Sequence, residues 1–260
     1  MKKKALLVIS FGTSAIEALS AIENIEETCK KAYPAHDFFR VFTSKMIIKK
    51  IKKEHGIQIY DLETVLARLS EEGYEEVLCQ PTHMIPGSEY SKMIALVSEY
   101  KDHFEILKLG DPLLNTKEDC EEFCTVMNRV FEKMSDQYDV LVLAGHGTRH
   151  SADAIYGKIQ DTFDRLGMDR AVVGTVEGKP SLEDVIDRLH EKKVKKPVVM
   201  PMLVVAGIHV REDMMGESDK SWINTLAREG WDARVIMKGL GDIPDIAHMY
   251  REHLDHAKEI

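Results

Sequence analysis

The sequence predicts an α/β fold of two similar halves, each a mostly parallel sheet flanked by helices, with a cleft between them. Short apolar runs alternate with segments of helical period, the pattern of parallel strands joined by right-handed crossovers. That pattern restarts after about 120–135 residues, a repeat far longer than a solenoid period. The chain has 260 residues, 44% hydrophobic and 30% charged, enough apolar material for one large α/β domain or for two halves.

Taken in order, Lys4 to Ser10 is a buried strand and Phe11-Gly12-Thr13-Ser14 a turn with a helix N-cap, followed by a helix over 15–33 that stops near Pro34. A second strand spans 37–43. Ser44 then caps a helix through Lys53, His55-Gly56 breaks it, and a helix over 62–72 aligns Leu62, Val65, Leu66 and Leu69 on one face. The third strand, 74–80, enters Pro81-Thr-His-Met-Ile-Pro-Gly-Ser-Glu89, a loop stiffened by its prolines. A helix over 90–100 and a strand over 104–109 complete the first half, 1–115, and a long helix within 116–137 connects it to the second, 138–260.

The second half opens on Asp139 to Ala144, an unbroken aliphatic run suited to a fully buried parallel strand, and continues into Gly145-His-Gly-Thr148 and a helix over 151–166. A strand over 170–175 leads to Val176-Glu177-Gly178, and Ser181 with Asp184 three residues on forms a capping box for the next helix. The strand over 197–205 contains Pro201, which implies a bulge or an edge position. After Ala206-Gly-Ile-His209 come a helix over 222–229, a strand over 233–237 and a last helix from Ile243.

Bulk properties exclude several function classes. A formal charge of −9 argues against nucleic-acid binding, which needs a basic face. No apolar run approaches a membrane span, and the short run after Lys2-Lys-Lys4 does not make a secretory leader. The four cysteines (Cys29, Cys79, Cys120, Cys124) form no disulfide framework; Cys120 and Cys124, one helical turn apart, read as helix-buried thiols rather than a metal pair. The expected compartment is the cytoplasm. A homo-oligomer is left open.

Three successive strand ends in the second half deliver His146, Glu177 and His209, so all three should meet at one rim, where ligands bind in open α/β sheets. Two imidazoles and a carboxylate suit a first-row divalent metal with positions left open for exchange. Taken singly, each has an ordinary structural alternative: a core or capping histidine, a solvated carboxylate, and a helix-start histidine paired with Glu212 or Asp213. Other chemistries fail on detail: Gly145-His-Gly147 lacks the third glycine of a dinucleotide fingerprint, no Gly-x-Ser-x-Gly elbow is present, and the His146…His150 spacing lacks a zincin's intervening glutamate. Superposing the halves puts Phe11 opposite His146 and Glu89 opposite His209. Glu89 is therefore a candidate for the cleft, while His83, between Pro81 and Pro86, could be an axial ligand, a proton acceptor or a loop contact. The methionines at 200, 202, 214 and 215 read as packing, and His248, His253 and His256 as solvated.

These residues resemble those of a known family, the class II tetrapyrrole chelatases, closest to their anaerobic, early-pathway sirohydrochlorin cobaltochelatase branch. The likeness runs through Ala5-Leu-Leu-Val-Ile-Ser-Phe-Gly-Thr-Ser14, Phe42-Thr-Ser-Lys-Met-Ile-Ile48, Gly145-His-Gly147, Val176-Glu177, Met200-Pro-Met-Leu-Val-Val-Ala-Gly207 with His209, and Gly239-Leu-Gly241. The resemblance implies two Rossmann-like halves, each with a four-stranded parallel sheet, and insertion of Co²⁺ into sirohydrochlorin or precorrin-2 with release of two protons, as in anaerobic cobalamin biosynthesis. It implies metal ligands His146, Glu177 and His209, catalytic roles for His146 and Glu89, and substrate contacts from Ser10, Phe11, Gly12, Thr13, His83, Lys45 and Arg149. Cobalt is then the substrate metal and no organic cofactor is expected. Arg149 and His150 depart from the family run, and Arg211 is a further candidate anchor for substrate carboxylates. Iron insertion for siroheme or haem, and a carrier that binds tetrapyrrole or metal without turnover, are the competing functions.

Overall fold

The continuous apolar runs at 5–9, 140–144, 171–173 and 197–200 become strands buried on both faces, and parallel pairing gathers their carboxyl ends at one rim of each sheet. The computed structural model describes residues 2–207 and 210–260, without the side chains of Val210 and Arg211. The chain divides into two compact units, one running to Asn115 and resuming over Gly241–Ile260, the other Thr116–Leu240.

The first unit contains β1 (Lys4–Ser10), α1 (Leu19–Ala32), β2 (Asp37–Phe42), α2 (Lys45–His55), β3 (Tyr60–Asp61), α3 (Leu62–Glu71), β4 (Glu76–Pro81), α4 (Ser88–Ser98) and β5 (Ile106–Leu109), and from the end of the chain α9 (Pro244–Asp255) and β10 (Lys258–Glu259). Its sheet order is β10-β5-β4-β1-β2-β3. Central β1 pairs in parallel with β2, from Ala5↔Asp37 to Ser10↔Phe42, and with β4, from Lys4↔Glu76 to Ile9↔Pro81. The expected apolar face of α3 (Leu62, Val65, Leu66, Leu69) packs in one core with Ala5, Leu7 and Ile9 of β1. Ser44 caps α2 by accepting from the Ile47 amide at 3.3 Å.

Two features of this unit differ from the sequence expectation. The two-residue strands β3 and β10 widen the sheet to six strands, and β10 joins β5 antiparallel. The last helix, expected with the second half, packs along α1 in the first unit. Its Ile246, Ala247, Met249 and Tyr250 form a buried stripe, the Tyr250 hydroxyl donates to the Thr82 carbonyl at 2.9 Å, and Gly241 approaches the Ala21 carbonyl so closely that a Cβ would stand 2.2 Å from it. The stripe was legible, but the surface that would cover it was not.

The second unit contains α5 (Lys117–Glu132), β6 (Val140–Gly145), α6 (Ala154–Arg165), β7 (Ala171–Thr175), α7 (Leu182–Glu191), β8 (Pro197–Pro201), a π turn (Val210–Met214), α8 (Trp222–Arg228) and β9 (Arg234–Val235), with sheet order β7-β6-β8-β9. Helix α5 packs on α6 and belongs to this unit. The capping box at Ser181 and Asp184 forms, and a second stands at Thr116 and Asp119. Strand β8 stops at Pro201 instead of reaching Val205, and it lies inside the sheet, so Pro201 marks neither a bulge nor an edge. The apolar residues beyond it leave the sheet to pair with the segment before α9, where Leu240 donates to the Leu203 carbonyl at 2.7 Å. All four cysteines are free and buried, and burial pushes the Cys120 thiol up to about 11 and that of Cys124 up to about 12.

The first unit contains a buried ion pair: Glu26 on α1 accepts from both Nε and a terminal guanidinium nitrogen of Arg40 on β2. Desolvation holds the Glu26 carboxyl above its usual range, opposed by Arg40. Arg40→Ala should cost about 3–5 kcal/mol in urea unfolding at pH 7, because a lone carboxylate stays buried. The folded variant binds that proton more tightly than the unfolded chain, so stability should return as pH is lowered towards the raised pKa of Glu26.

Candidate functional site

Strand β6 is flanked by β7 and β8, and its register with β7 (Leu141↔Ala171 to Gly145↔Thr175) continues beyond both strands. The Val176 amide donates to the Gly145 carbonyl at 3.0 Å and the Glu177 amide to the His146 carbonyl at 2.9 Å. His146 and Glu177 are thus backbone neighbours at one rim, His146 half-buried and Glu177 exposed. Gly147 makes this possible. Its φ is +80°, and a Cβ there would lie 2.5 Å from the Gly178 nitrogen.

The imidazole is oriented locally. His146 Nδ1 lies 3.1 Å from the Gly147 carbonyl oxygen, which can only accept, so Nδ1 carries the proton and the lone pair is on Nε2. Metal-binding histidines are commonly held this way, the second nitrogen donating to a carbonyl. Beneath the loop lies the buried Tyr156 ring, 2.3 Å from where a Cβ of Gly145 would stand. Burial raises the pKa of its phenol, against a hydrogen bond from the Gly147 backbone. The Glu177 loop is closed by Thr175, whose hydroxyl donates to the Pro180 carbonyl at 2.9 Å and accepts from the Gly178 amide at 3.1 Å. A lone-pair nitrogen beside a carboxylate at a strand rim is a donor pair for a divalent first-row ion.

His209 lies outside the described residues, as does the Arg211 side chain. Among the described residues, no three His, Cys, Asp or Glu side chains gather closely enough to hold a metal ion. Arg149 is exposed, and His150 accepts from the Ala152 amide at 3.1 Å, which accounts for that histidine as a cap. His253, expected on a solvated face, is half-buried with Nδ1 at 3.2 Å from the Asp111 carbonyl.

In the first unit, the loops after β1, β2 and β4 meet. The Thr43 and Ser44 amides donate to the Ser10 and Phe11 carbonyls at 2.9 and 3.3 Å, and the Thr82 hydroxyl donates to Ser10 Oγ at 2.9 Å. Ser10 and Thr13 are buried, with Thr13 Oγ1 accepting from the Ala15 amide, so both hydroxyls support the loop. Gly12 packs its Cα against the Phe42 ring, and Phe11 opposite it is 49% exposed. Lys45 lies 3.6 Å from Glu63, and Glu89, in the first turn of α4, pairs with Lys92 at 2.6 Å. His83 stands edge-on to Tyr90 with ring centroids 6.1 Å apart, and neither ring nitrogen has a partner among the described residues. Desolvation lowers its pKa to about 4, against the pull of Glu89. Beyond the residues singled out from sequence, the rims hold Tyr156, Thr175 and Asp153 beneath or across the loops, and Met46, 74% exposed on α2. No spacing rule marks the first three; the fourth lies in the Phe42-to-Ile48 run on which the family resemblance rests.

This architecture is that of the chelatases: SirB from Bacillus subtilis with Fe³⁺ superposes with a TM-score of 0.66, covering 98% of this chain and 95% of that one at 13% identity. Residues 4–259 match the family described as cobalt chelatase (CbiK), and the chain belongs to that family. It is 34% identical over 256 residues to the sirohydrochlorin cobaltochelatase of Salmonella typhimurium, spanning 98% of this chain and 96% of that protein. It is 27% identical over 262 residues to sirohydrochlorin cobaltochelatase CbiKC of Nitratidesulfovibrio vulgaris, with 99% and 91% covered.

Two measurements check the local geometry. Gly147→Ala should destabilise by more than about 1 kcal/mol, since it combines a positive φ with a backbone clash. Gly157→Ala in α6, where a Cβ meets nothing within 4 Å, should stabilise by up to about 1 kcal/mol in the same thermal unfolding assay. His83 should stay neutral in NMR titrations between about pH 5 and 8. Its folded pKa lies below its unfolded one, so its contribution to stability is lost as pH falls from about 6.5 towards about 4.

Proposed function

We propose that this chain inserts Co²⁺ into sirohydrochlorin, or its precursor precorrin-2, in cobalamin biosynthesis. The observation that carries this reading is the match to the cobalt chelatase family over residues 4–259. Cobalt is the substrate metal, no organic cofactor takes part, and the working compartment is the cytoplasm, in keeping with four free thiols.

In this reading His146, Glu177 and His209 hold Co²⁺ with water in the remaining positions. Insertion exchanges those donors for four ring nitrogens and releases two N–H protons, so that Co²⁺ and the neutral macrocycle give the metallated macrocycle and two protons. The donor set must hold the ion and also surrender it, which neutral imidazoles and one carboxylate do more readily than a cage of thiolates. While Nε2 of His146 binds the metal it cannot take a proton. Departure of the ion frees that lone pair, which then accepts a pyrrole proton. Glu89 takes the second. The Ser10-to-Thr13 loop faces the macrocycle, with Phe11 touching it by its exposed ring and buried Ser10, Gly12 and Thr13 holding that ring in place; His83 lines the same side, while Lys45 and Arg149 meet its carboxylates. Affinity order alone does not separate Co²⁺ from Fe²⁺, and the family match favours cobalt.

The test is insertion into sirohydrochlorin followed by absorbance, with Co²⁺ and Fe²⁺ compared. Wild type should insert Co²⁺ faster, and His146→Ala should lower that rate about 100-fold or more. An unchanged rate in the variant removes the assigned site. If wild type inserts neither metal but binds tetrapyrrole, the chain is a carrier.

A further inference from the structure

Asp153, which ends a 3₁₀ turn (Ser151–Asp153) leading into α6, has no assigned role, yet its carboxylate spans both loops of the candidate metal site. One oxygen, Oδ1, accepts from the Thr148 amide at 2.8 Å. The other, Oδ2, accepts from the Lys179 amide at 2.9 Å. Thr148 lies two residues past His146, and Lys179 two residues past Glu177. A single carboxylate therefore joins equivalent points of the two loops.

There is no slack in this arrangement. A Cβ on Gly178 would stand 2.3 Å from Oδ1 and 2.6 Å from Oδ2, and one on Gly147 would stand 2.5 Å from the Gly178 nitrogen. Loop 146–148, loop 177–179 and the Asp153 carboxylate are stacked in contact, with glycine at each close approach. Hydrogen bonds from backbone amides to an ionised carboxylate are among the stronger ones available to a loop. The strand ladder fixes the near ends of the loops at the Gly145 and His146 carbonyls, and Asp153 fixes the far ends. His146 and Glu177 form the last rung of that ladder, each two residues before an Asp153 contact.

We propose that Asp153 is a positioning residue, setting the separation of His146 and Glu177 and hence the geometry in which they hold Co²⁺. This rests on the reading of those two residues as metal donors. Replacing outer partners of metal ligands commonly weakens metal binding about 10–100-fold, and that range is expected for Asp153→Ala. Asp153→Asn keeps one acceptor and replaces the other with an amide nitrogen that cannot accept, so its loss should be intermediate.

The experiment titrates Co²⁺ alone into the full chain at 25 °C and follows its visible d–d absorption, with thermal unfolding measured beside it. Expected are a 10–100-fold weaker Co²⁺ affinity and an altered band shape in Asp153→Ala, with a smaller change in Asp153→Asn. A merely structural aspartate would lower the unfolding temperature and leave affinity and band shape as in wild type; affinities within twofold in the folded variants overturn the proposal. Should Asp153→Ala fail to fold, Gly178→Ala displaces the carboxylate without removing it, and it must weaken Co²⁺ binding for the proposal to stand. His146→Ala separates the two ideas. If it binds Co²⁺ as wild type does, the donor assignment fails; if it loses Co²⁺ while the Asp153 variants keep it, only the positioning role fails.

Discussion

Parallel pairing of β6 with β7 is the constraint on which the site depends. Evenly spaced backbone hydrogen bonds tie residue to residue along parallel strands, and here they continue past the strands into the loops. The Gly145 and His146 carbonyls still receive amides from Val176 and Glu177. An imidazole and a carboxylate distant in sequence become neighbours because the ladder does not stop where the apolar runs stop. Both strands are buried, so side-chain chemistry is available only at their ends. Glycine at 147 admits the reversal and the contact that follow.

The first unit applies the same rule with different residues. The carbonyls of Ser10 and Phe11 are met by the amides of Thr43 and Ser44, and the buried Ser10 and Thr82 hydroxyls join the loops after β1 and β4. Where the second unit presents a histidine, this one presents an exposed phenylalanine. The two rims are built alike by backbone bonds between neighbouring loops and differ in the side chain they present.

Desolvation acts in opposite senses on the buried titratable groups. It raises the Glu26 carboxyl, opposed by the fork of Arg40, and it lowers His83, which has no such partner among the described residues and stays neutral. The first is a structural ion pair beneath the sheet. The second leaves an uncharged ring near Glu89, its two nitrogens without a partner among the described residues.

The sequence by itself determined what depends on neighbours along the chain. The strand run through Ala144, the α3 face of Leu62, Val65, Leu66 and Leu69, the caps at Ser44 and Ser181, and the delivery of His146 and Glu177 to successive strand ends all follow from local period and local hydrogen bonding. Tertiary structure alone decided what depends on partners far away. An apolar stripe on α9 specifies that it must be covered but not by which helix, and α1 covers it. A short segment such as Lys258–Glu259 becomes a strand only because β5 offers an open edge. Asp153 has no mark in the sequence, because an aspartate that accepts two amides looks the same as a solvated one until the loops it joins are brought within 3 Å of it. Periodicity is written into the chain residue by residue, whereas contact across about 25 residues of intervening chain exists only once the fold has closed.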